Sequence, residues 1–416
     1  MKRYLFLLIV LFCAGSLVFA QSNQTRYVAA QNVPLKSSTG FFSKELASLK
    51  YGTAVTLVRV DGKWSQVRSG NNTGWVASDN LSSRQLVQSG SSSITASEVA
   101  LAGKGFSPSS EVEYKQSGLD YTLVDEMEKI TVPLDTLSRF VDEGRLAKGE
   151  GKSANSNPFS GNVNPFASTG EDDFTPVDTY YLGRAVAANI VKAYRPYTTN
   201  QEMIQYLNRI CQTIVINSFK PPTFNGYYVT ILDSDEYNAF ATPGGHIFIT
   251  RKLIESTTSE DMLAAVIAHE LAHVMLRHGT AIISDTKFES EMFAIAGRAA
   301  SSAAKLSTNP NANKTLSYRN AVANTVETLL KNGYSQTQEF EADIEAAELL
   351  ANAGYNPGAL VDLLNVLRKF QGSQKVGFYS THPSPADRIS NVESSGRRLV
   401  VQDTRQYRVS RFKNRV

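Results

Sequence analysis

Apolar and polar residues alternate over residues 27–83, in runs such as TAVTLVRVDGKWSQVRS and TGWVAS. Such alternation predicts half-buried strands. Val55, Leu57, Val58 and Val60 run into Asp61-Gly62, and Trp64 and Val67 follow, which predicts a hairpin. No helical period is visible there, so the segment is expected to be a small all-β barrel. From Thr179 the pattern changes. YYLGRAVAANIVKAY and QEMIQYLNRICQTIV carry the spacing of helices, while GYYVTILDS and GGHIFIT read as strands. From Ser259 to about Phe370 the chain is mostly helical. Helices, a small sheet and further helices make a mainly helical α+β domain.

Between these parts the patterning weakens. Residues 84–98 are Ser-rich and read as a linker. Residues 120–148 have helical spacing broken at Pro133. Residues 149–173, with two NPF repeats, are rich in Gly, Ser, Asn and Pro and are expected to form a long exposed loop open to proteolysis. At the N-terminus, Lys2 and Arg3 precede an apolar stretch, and Val18 and Ala20 fit cleavage before Gln21. This is the pattern of a secretory signal peptide. Phe12 before Cys13 argues against a lipoprotein. The expected organisation is a signal peptide over 1–20, a β domain over 27–83 and a linker with a helical segment over 84–178. An α+β domain over 179–395 follows, and then a basic tail over 396–416, whose Arg405, Arg408, Arg411, Lys413 and Arg415 are expected to be solvated.

Composition narrows the function. The 416 residues are 42% hydrophobic, enough for more than one domain with a substantial core. No run of about 18 apolar residues follows the signal peptide, so no membrane span is expected in the mature chain. Loss of Lys2 and Arg3 takes the formal charge from +3 to +1. Such a chain has no electrostatic drive toward nucleic acid. Only Cys211 remains after cleavage, so no internal disulfide is expected. Export to the periplasm or the extracellular space is the expected location.

The chemistry concentrates in MLAAVIAHELAHVML, where two histidines and a glutamate interrupt an apolar helix. Burying such groups is costly unless they have partners. Ser259 is a suitable N-cap, Glu260 and Asp261 favour the first turn, and His278-Gly279 is the expected C-terminal end. On this helix His269 and His273 lie one turn apart on one face and can hold one metal ion. Glu270 can reach a water on that metal, the arrangement of an H-E-x-x-H zinc hydrolase with Glu270 as general base. A third zinc ligand is needed. The extended motif with a third histidine fails because Leu276 stands where glycine is required. Glu289 and Glu291 lie in no recognisable ligand context. Glu339 is the better candidate, with Asp343 one turn later able to accept the second ring N–H of a ligating histidine. Glu341 points to another face and is expected to be solvated. His278 reads as a cationic ring at a helix end, and His246 as a residue projecting from its strand rather than a ligand.

These motifs resemble a zinc peptidase family, that of the CaaX prenyl protease, HtpX and the mitochondrial Oma-type protease. H-E-x-x-H is followed by EFEAD (339–343), NAFATPGGHIFITRKLI (238–254) precedes it, and THPSPADRI (381–389) closes the set. The resemblance covers about residues 179–395 and implies a gluzincin-type zincin fold, with one zinc held by His269, His273 and Glu339. It implies that His382 and Arg388 stabilise the developing negative charge. It also implies that PGGHIFIT forms an edge strand to which substrate adds, with Gly244 and Gly245 allowing close backbone approach and Asn238 either binding substrate backbone or fixing the turn. Membrane spans are missing relative to HtpX and the prenyl protease, which points to the soluble periplasmic BepA-like branch. Residues 27–83 resemble the bacterial SH3-like domain, with Trp64 and Gly74-Trp75-Val76 as its signature. Such modules bind peptidoglycan or peptides, whereas Trp64 and Trp75 could equally serve packing alone.

The expected activity is a zinc metalloendopeptidase acting on envelope or secreted proteins, in protein quality control. Two alternatives stand beside it: a protein that holds clients or cell wall without cutting, and a cell-wall peptide hydrolase. Glu270 speaks against the first, since a holding protein needs no general base. Residues 292–306 are small and apolar, suited to a tightly packed helix between the two ligand-bearing helices. The region 280–338 is a candidate cover for the cleft.

Overall fold

The computed structural model describes residues 24–86, 108–116, 118–149 and 175–370, the last except 219, 221–222, 285–321, 323–325, 327–329 and 331–332. Residues 383–395 and 401–415 complete the description. The signal-peptide segment, the loop expected over 149–173 (Gly149 apart) and the stretch 292–306 lie outside the described residues.

Seven strands come first: β1 Gln24–Val28, β2 Asn32–Lys36, β3 Glu45–Lys50, β4 Ala54–Asp61, β5 Trp64–Ser69, β6 Asn72–Ala77 and β7 Leu81–Ser82. They form one sheet in the order β3-β2-β6-β5-β4-β1-β7. β4 and β5 pair antiparallel from Asp61↔Trp64 to Thr56↔Arg68 around Gly62, whose φ of 57° suits glycine. Alternate positions such as Val33, Leu35, Val55, Val67 and Val76 fill the interior. Trp64 and Trp75 are both buried, and the Arg59 guanidinium lies 4.9 Å from the Trp75 ring centre.

Three helices follow: α1 Pro108–Gln116, α2 Thr122–Glu128 and α3 Leu134–Glu143. They fall in the segment expected as a linker, yet their apolar faces are part of the main domain. Leu137, Phe140 and Val141 join the core around the metal helix, and Val124 and Met127 pack with Leu182, Val186, Phe240 and Phe248.

The α+β part holds α4 Pro176–Ala193, α5 Gln201–Asn217, β8 Tyr228–Leu232, β9 Ala239–Ala241, β10 His246–Thr250, α6 Arg251–Ser256, α7 Glu260–Met275, α8 His278–Ser284, α9 Gln336–Ala353, α10 Ala359–Lys369 and α11 Pro385–Ser394. The short α12 Val409–Lys413 ends it. Side chains fix the helix starts: Thr175 and Asp178 form a capping box before α4, Ser259 caps α7, and Ser335 with Gln338 caps α9. Among the described residues the two-layer plan, sheet against helices, matches the α+β expectation.

Three expectations are corrected. The sheet order is β8-β10-β9, so HIFIT is the central strand and not an edge. Its five residues are all buried, because β8 takes one side in parallel and β9 the other antiparallel. Helix α7 stops at Met275 rather than at His278-Gly279. Arg277 adopts φ 62°, and the chain turns there into α8, which His278 opens. The C-terminal arginines are not all solvated. Arg408 donates to Asp261 at 2.9 and 2.7 Å and to the Gly144 carbonyl at 2.8 Å, and Arg411 pairs with Glu260. Glu260 and Asp261 are buried in the first turn of α7, where carboxylates suit the helix N-terminus but need charged partners.

Candidate metal centre

Helix α7 carries His269 and His273 one turn apart, with their Nε2 atoms 3.2 Å apart. Helix α9 packs against it and brings Glu339 across, its Oε2 3.5 Å from His269 Nε2 and its Oε1 3.4 Å from His273 Nε2. Donor atoms from all three lie within 4.8 Å of one another, all three residues are buried, and together they can hold a metal ion. Two imidazoles and a carboxylate converging without apolar insulation is an arrangement that folding alone would avoid. Glu270, next along α7, is 3% exposed.

Each histidine is held from behind. Asp343, one turn after Glu339, lies 3.0 Å from His269 Nδ1. Arg388 from α11 grips Asp343 through Nε at 2.8 Å and Nη2 at 2.6 Å, and its Nη1 is 3.4 Å from Glu339 Oε2. On the other side, His278 Nδ1 lies 2.9 Å from His273 Nδ1, and His278 Nε2 lies 3.3 Å from Glu341 Oε2. Tyr334 stacks on His273 with ring centres 4.0 Å apart and planes at 15°.

The electrostatics follow. Burial and Arg388 push His269 down, yet its hydrogen bonds with Asp343 and Glu339 prevail and raise its pKa to about 9. Burial lowers His273 to about 3. Burial raises Glu270 to about 7, with Glu339 adding to it against the opposing pull of His269. Asp343 is held below the usual carboxylate range by Arg388 and His269 despite its burial. Burial also lowers His278, which corrects its reading as a cationic ring at a helix C-terminus: it stands at the start of α8, not the end of α7.

Of the remaining residues singled out in the sequence, His382 lies outside the described residues, as do Glu289 and Glu291. Arg388 is placed at the centre, against Asp343 and Glu339 rather than at its rim. Asn238 precedes β9 and is 1% exposed, its side chain accepting from the Ala239 N–H at 2.9 Å. The close approaches that Gly244 and Gly245 permit are made to the chain itself. A Cβ on Gly183 would stand 2.1 Å from Gly244 N, and one on Gly245 would stand 2.4 Å from the Gly226 carbonyl. His246 is fully buried, with Nε2 2.8 Å from Glu128 of α2.

Sequence reasoning missed His278, Glu341, Tyr334 and Glu128 as parts of this neighbourhood. The fivefold offset of His278 from His273 fits no helical face, so only the turn at Arg277 brings the rings together. Glu341 is exposed except where it meets His278, and no pattern marks it.

Comparisons with known proteins agree with this geometry. Residues 201–395 match the model of Peptidase family M48, and residues 31–82 match Bacterial SH3 domain. The chain is 26% identical over 219 residues to the Beta-barrel assembly-enhancing protease of Escherichia coli K12, covering 51% of this chain and 43% of that protein. It is 30% identical over 162 residues to Mitochondrial metalloendopeptidase OMA1 of Schizosaccharomyces pombe, covering 38% and 42%. Metalloprotease LoiP of Escherichia coli K12 is 26% identical over 196 residues, covering 46% and 70%. The matched region thus spans less than half the length of the first two relatives. No described helix is long and apolar enough to cross a membrane. The buried His269, His273 and Glu339 fall inside the matched span, so residues 201–395 resemble peptidase family M48, and the segment that precedes them resembles a bacterial SH3 domain.

Proposed function

We propose that the chain is an exported, zinc-dependent endopeptidase that cuts unfolded or exposed segments of envelope or secreted proteins. One observation carries this reading: two histidines of α7 and Glu339 of α9 converge at 3.2 to 3.5 Å, with Glu270 beside them. Tetrahedral bonds of about 2.0–2.1 Å to zinc imply ligand separations of roughly 3.3–3.4 Å, close to those spacings. His269, His273 and Glu339 would hold the ion. Bound there, zinc supplies Lewis acidity, bringing water toward a pKa of about 7 and polarising the scissile carbonyl.

The protein's own groups do the rest. Glu270, with its pKa raised to about 7, takes a proton from the attacking water and returns it to the leaving amine. Asp343 accepts from His269 Nδ1–H, which leaves Nε2 free to ligate, and Arg388 holds Asp343 in place. His382 and Arg388 are assigned to the carbonyl oxygen as charge develops. The substrate strand adds to β9 rather than to β10. Thr242 and Asn238 use their backbone groups on β10, so those of Ala239 and Ala241 face the other way. Asn238 then guards that edge by occupying the Ala239 N–H. The Gly244-Gly245 turn fixes the far end of β9. Backbone pairing of this kind favours broad sequence specificity. The SH3 domain is assigned to peptidoglycan or peptide binding near the substrate.

The test uses the chain from Gln21 onward with Glu270→Gln as control, measuring zinc content and cleavage of casein. Zinc near one per chain with cutting lost in the variant is expected, the loss being about 100- to 10,000-fold. Equal turnover in the variant sinks the mechanism. Zinc without cutting by either protein turns the reading toward the client-holding alternative.

A further inference from the structure

The machinery described so far accounts for the far side of His269 but not of His273. His269 has its Nδ1 on Asp343, the usual carboxylate support for a ligating histidine. His273 has an imidazole in that place. His278 Nδ1 stands 2.9 Å from His273 Nδ1, and its other nitrogen, Nε2, stands 3.3 Å from Glu341 Oε2. His278 is 4% exposed, although α8 is short and begins at this residue. The chain reaches this position because Arg277 takes φ 62°, a left-handed conformation that non-glycine residues adopt less readily than glycine. The left-handed Arg277 ends α7 just after its C-cap, Leu276, and the turn it makes delivers the His278 ring, buried, against His273.

We infer that His278 and Glu341 are positioning residues that set the tautomer and the aim of His273. The bonding order is fixed by what each group can do. An ionised carboxylate only accepts, so His278 Nε2–H donates to Glu341. A neutral imidazole with its proton on Nε2 has a bare Nδ1. That nitrogen accepts His273 Nδ1–H, and the Nε2 lone pair of His273 then faces His269 Nε2 and Glu339. Glu341 sits two residues beyond Glu339 on α9, so one helix supplies the third ligand and anchors the support of the second. Tyr334, stacked on the face of His273, limits rotation of the ring about this chain of bonds.

This inference rests on the zinc-peptidase reading. The experiment measures the zinc dissociation constant by competition with a chromophoric chelator, in the chain from Gln21 onward. Three variants are compared: His278→Leu, His278→Asn and His278→Gln. Asparagine places an acceptor where Nδ1 stands, whereas glutamine places its polar end where Nε2 stands. His278→Leu and His278→Gln are expected to weaken zinc binding about 10- to 100-fold, while His278→Asn stays close to the unsubstituted value. Far-UV circular dichroism of the metal-free proteins reports folding. If the leucine variant does not fold, the asparagine–glutamine pair decides alone. Unchanged affinity in all variants, or equal losses in Asn and Gln, overturns the inference while leaving the zinc reading intact. An unsubstituted chain that binds no zinc sinks both.

Discussion

Glu270 is the residue whose environment most directly sets the chemistry. Burial brings its carboxyl to about 7, with Glu339 adding and His269 opposing. A base must be deprotonated to act, so activity falls as pH drops through its pKa. A dication at His269, His273 and Glu339 favours the carboxylate, so the acid limb of kcat/KM is expected at or below pH 7 and disappears in Glu270→Gln. An acid limb above pH 8 would contradict the assignment. Glu339→Ala removes one of the three proposed ligands and is expected to leave the purified chain with little zinc, read by metal analysis, while α9 stays folded because its cap rests on Ser335 and Gln338. The convergence of His269 and His273 was legible from spacing alone, because a helix places residues four apart on one face, and the proposed role of Glu270 came from the H-E-x-x-H pattern. Glu339 and Asp343 were legible for the same reason. His278 was not, since a left-handed residue at Arg277 resets the helical phase, and nothing in an arginine announces that conformation.

At the scale of elements, α2 acts as a latch on the turn before β10. Glu128 at its end meets His246 at 2.8 Å, Arg184 of α4 at 2.7 Å and Tyr180 at 2.8 Å. Burial opposes ionisation, but these partners prevail and bring Glu128 to about 2. A carboxyl lowered on folding stabilises the fold above its unfolded value near 4.5, and that contribution is lost as pH falls from about 4.5 to about 2. Glu128→Gln is therefore expected to destabilise at pH 7 by less than the roughly 3–5 kcal/mol of a fully orphaned buried charge, because Glu111 and Asp125 still hold Arg184. It is also expected to flatten the acid limb of a urea-unfolding series. Parallel pH profiles of the two proteins would refute the latch. The sequence showed helical spacing over residues 120–148 but placed it within a linker, because the partners of Glu128 lie 52 to 118 positions away. Arg408 and Arg411 were misread for a similar reason, since a basic tail looks solvated until buried carboxylates on α7 are known to meet it. The strand HIFIT offered only three consecutive apolar residues, Ile247 to Ile249, between His246 and Thr250, too short a run to tell a central strand from an edge, and only the structure shows all five positions buried.

Across the whole molecule, the N-terminal sheet is joined to the α+β part at a loop close to the Gly244-Gly245 turn. Gln31 N–H donates to the Phe224 carbonyl at 2.8 Å, Lys63 reaches the Ile216 carbonyl at 3.0 Å, and the Tyr51 and Phe224 rings meet edge to face at 5.2 Å. Two residues beyond Phe224, the Gly226 carbonyl lies against Gly245. The centre these parts surround is closed: His269, Glu270, His273 and Glu339 are all at or below 3% exposure. A pocket beside His273, lined by Ala241, Pro243, Arg277 and Tyr334, has room for about one water and none for a peptide. An extended substrate pairing with β9 has to displace something, and Tyr334 is the group in contact with the ligand on that side. Its ring contributes stacking rather than a ligand atom, so its removal spares the metal set. Tyr334→Ala is therefore expected to raise kcat/KM for an unfolded protein substrate and to speed zinc loss to a chelator. Its support of His273 is lost at the same time, so equilibrium zinc affinity falls by less than in His278→Leu. A variant whose cleavage rate and zinc release match those of the unsubstituted chain would show that access to the centre does not run past this ring.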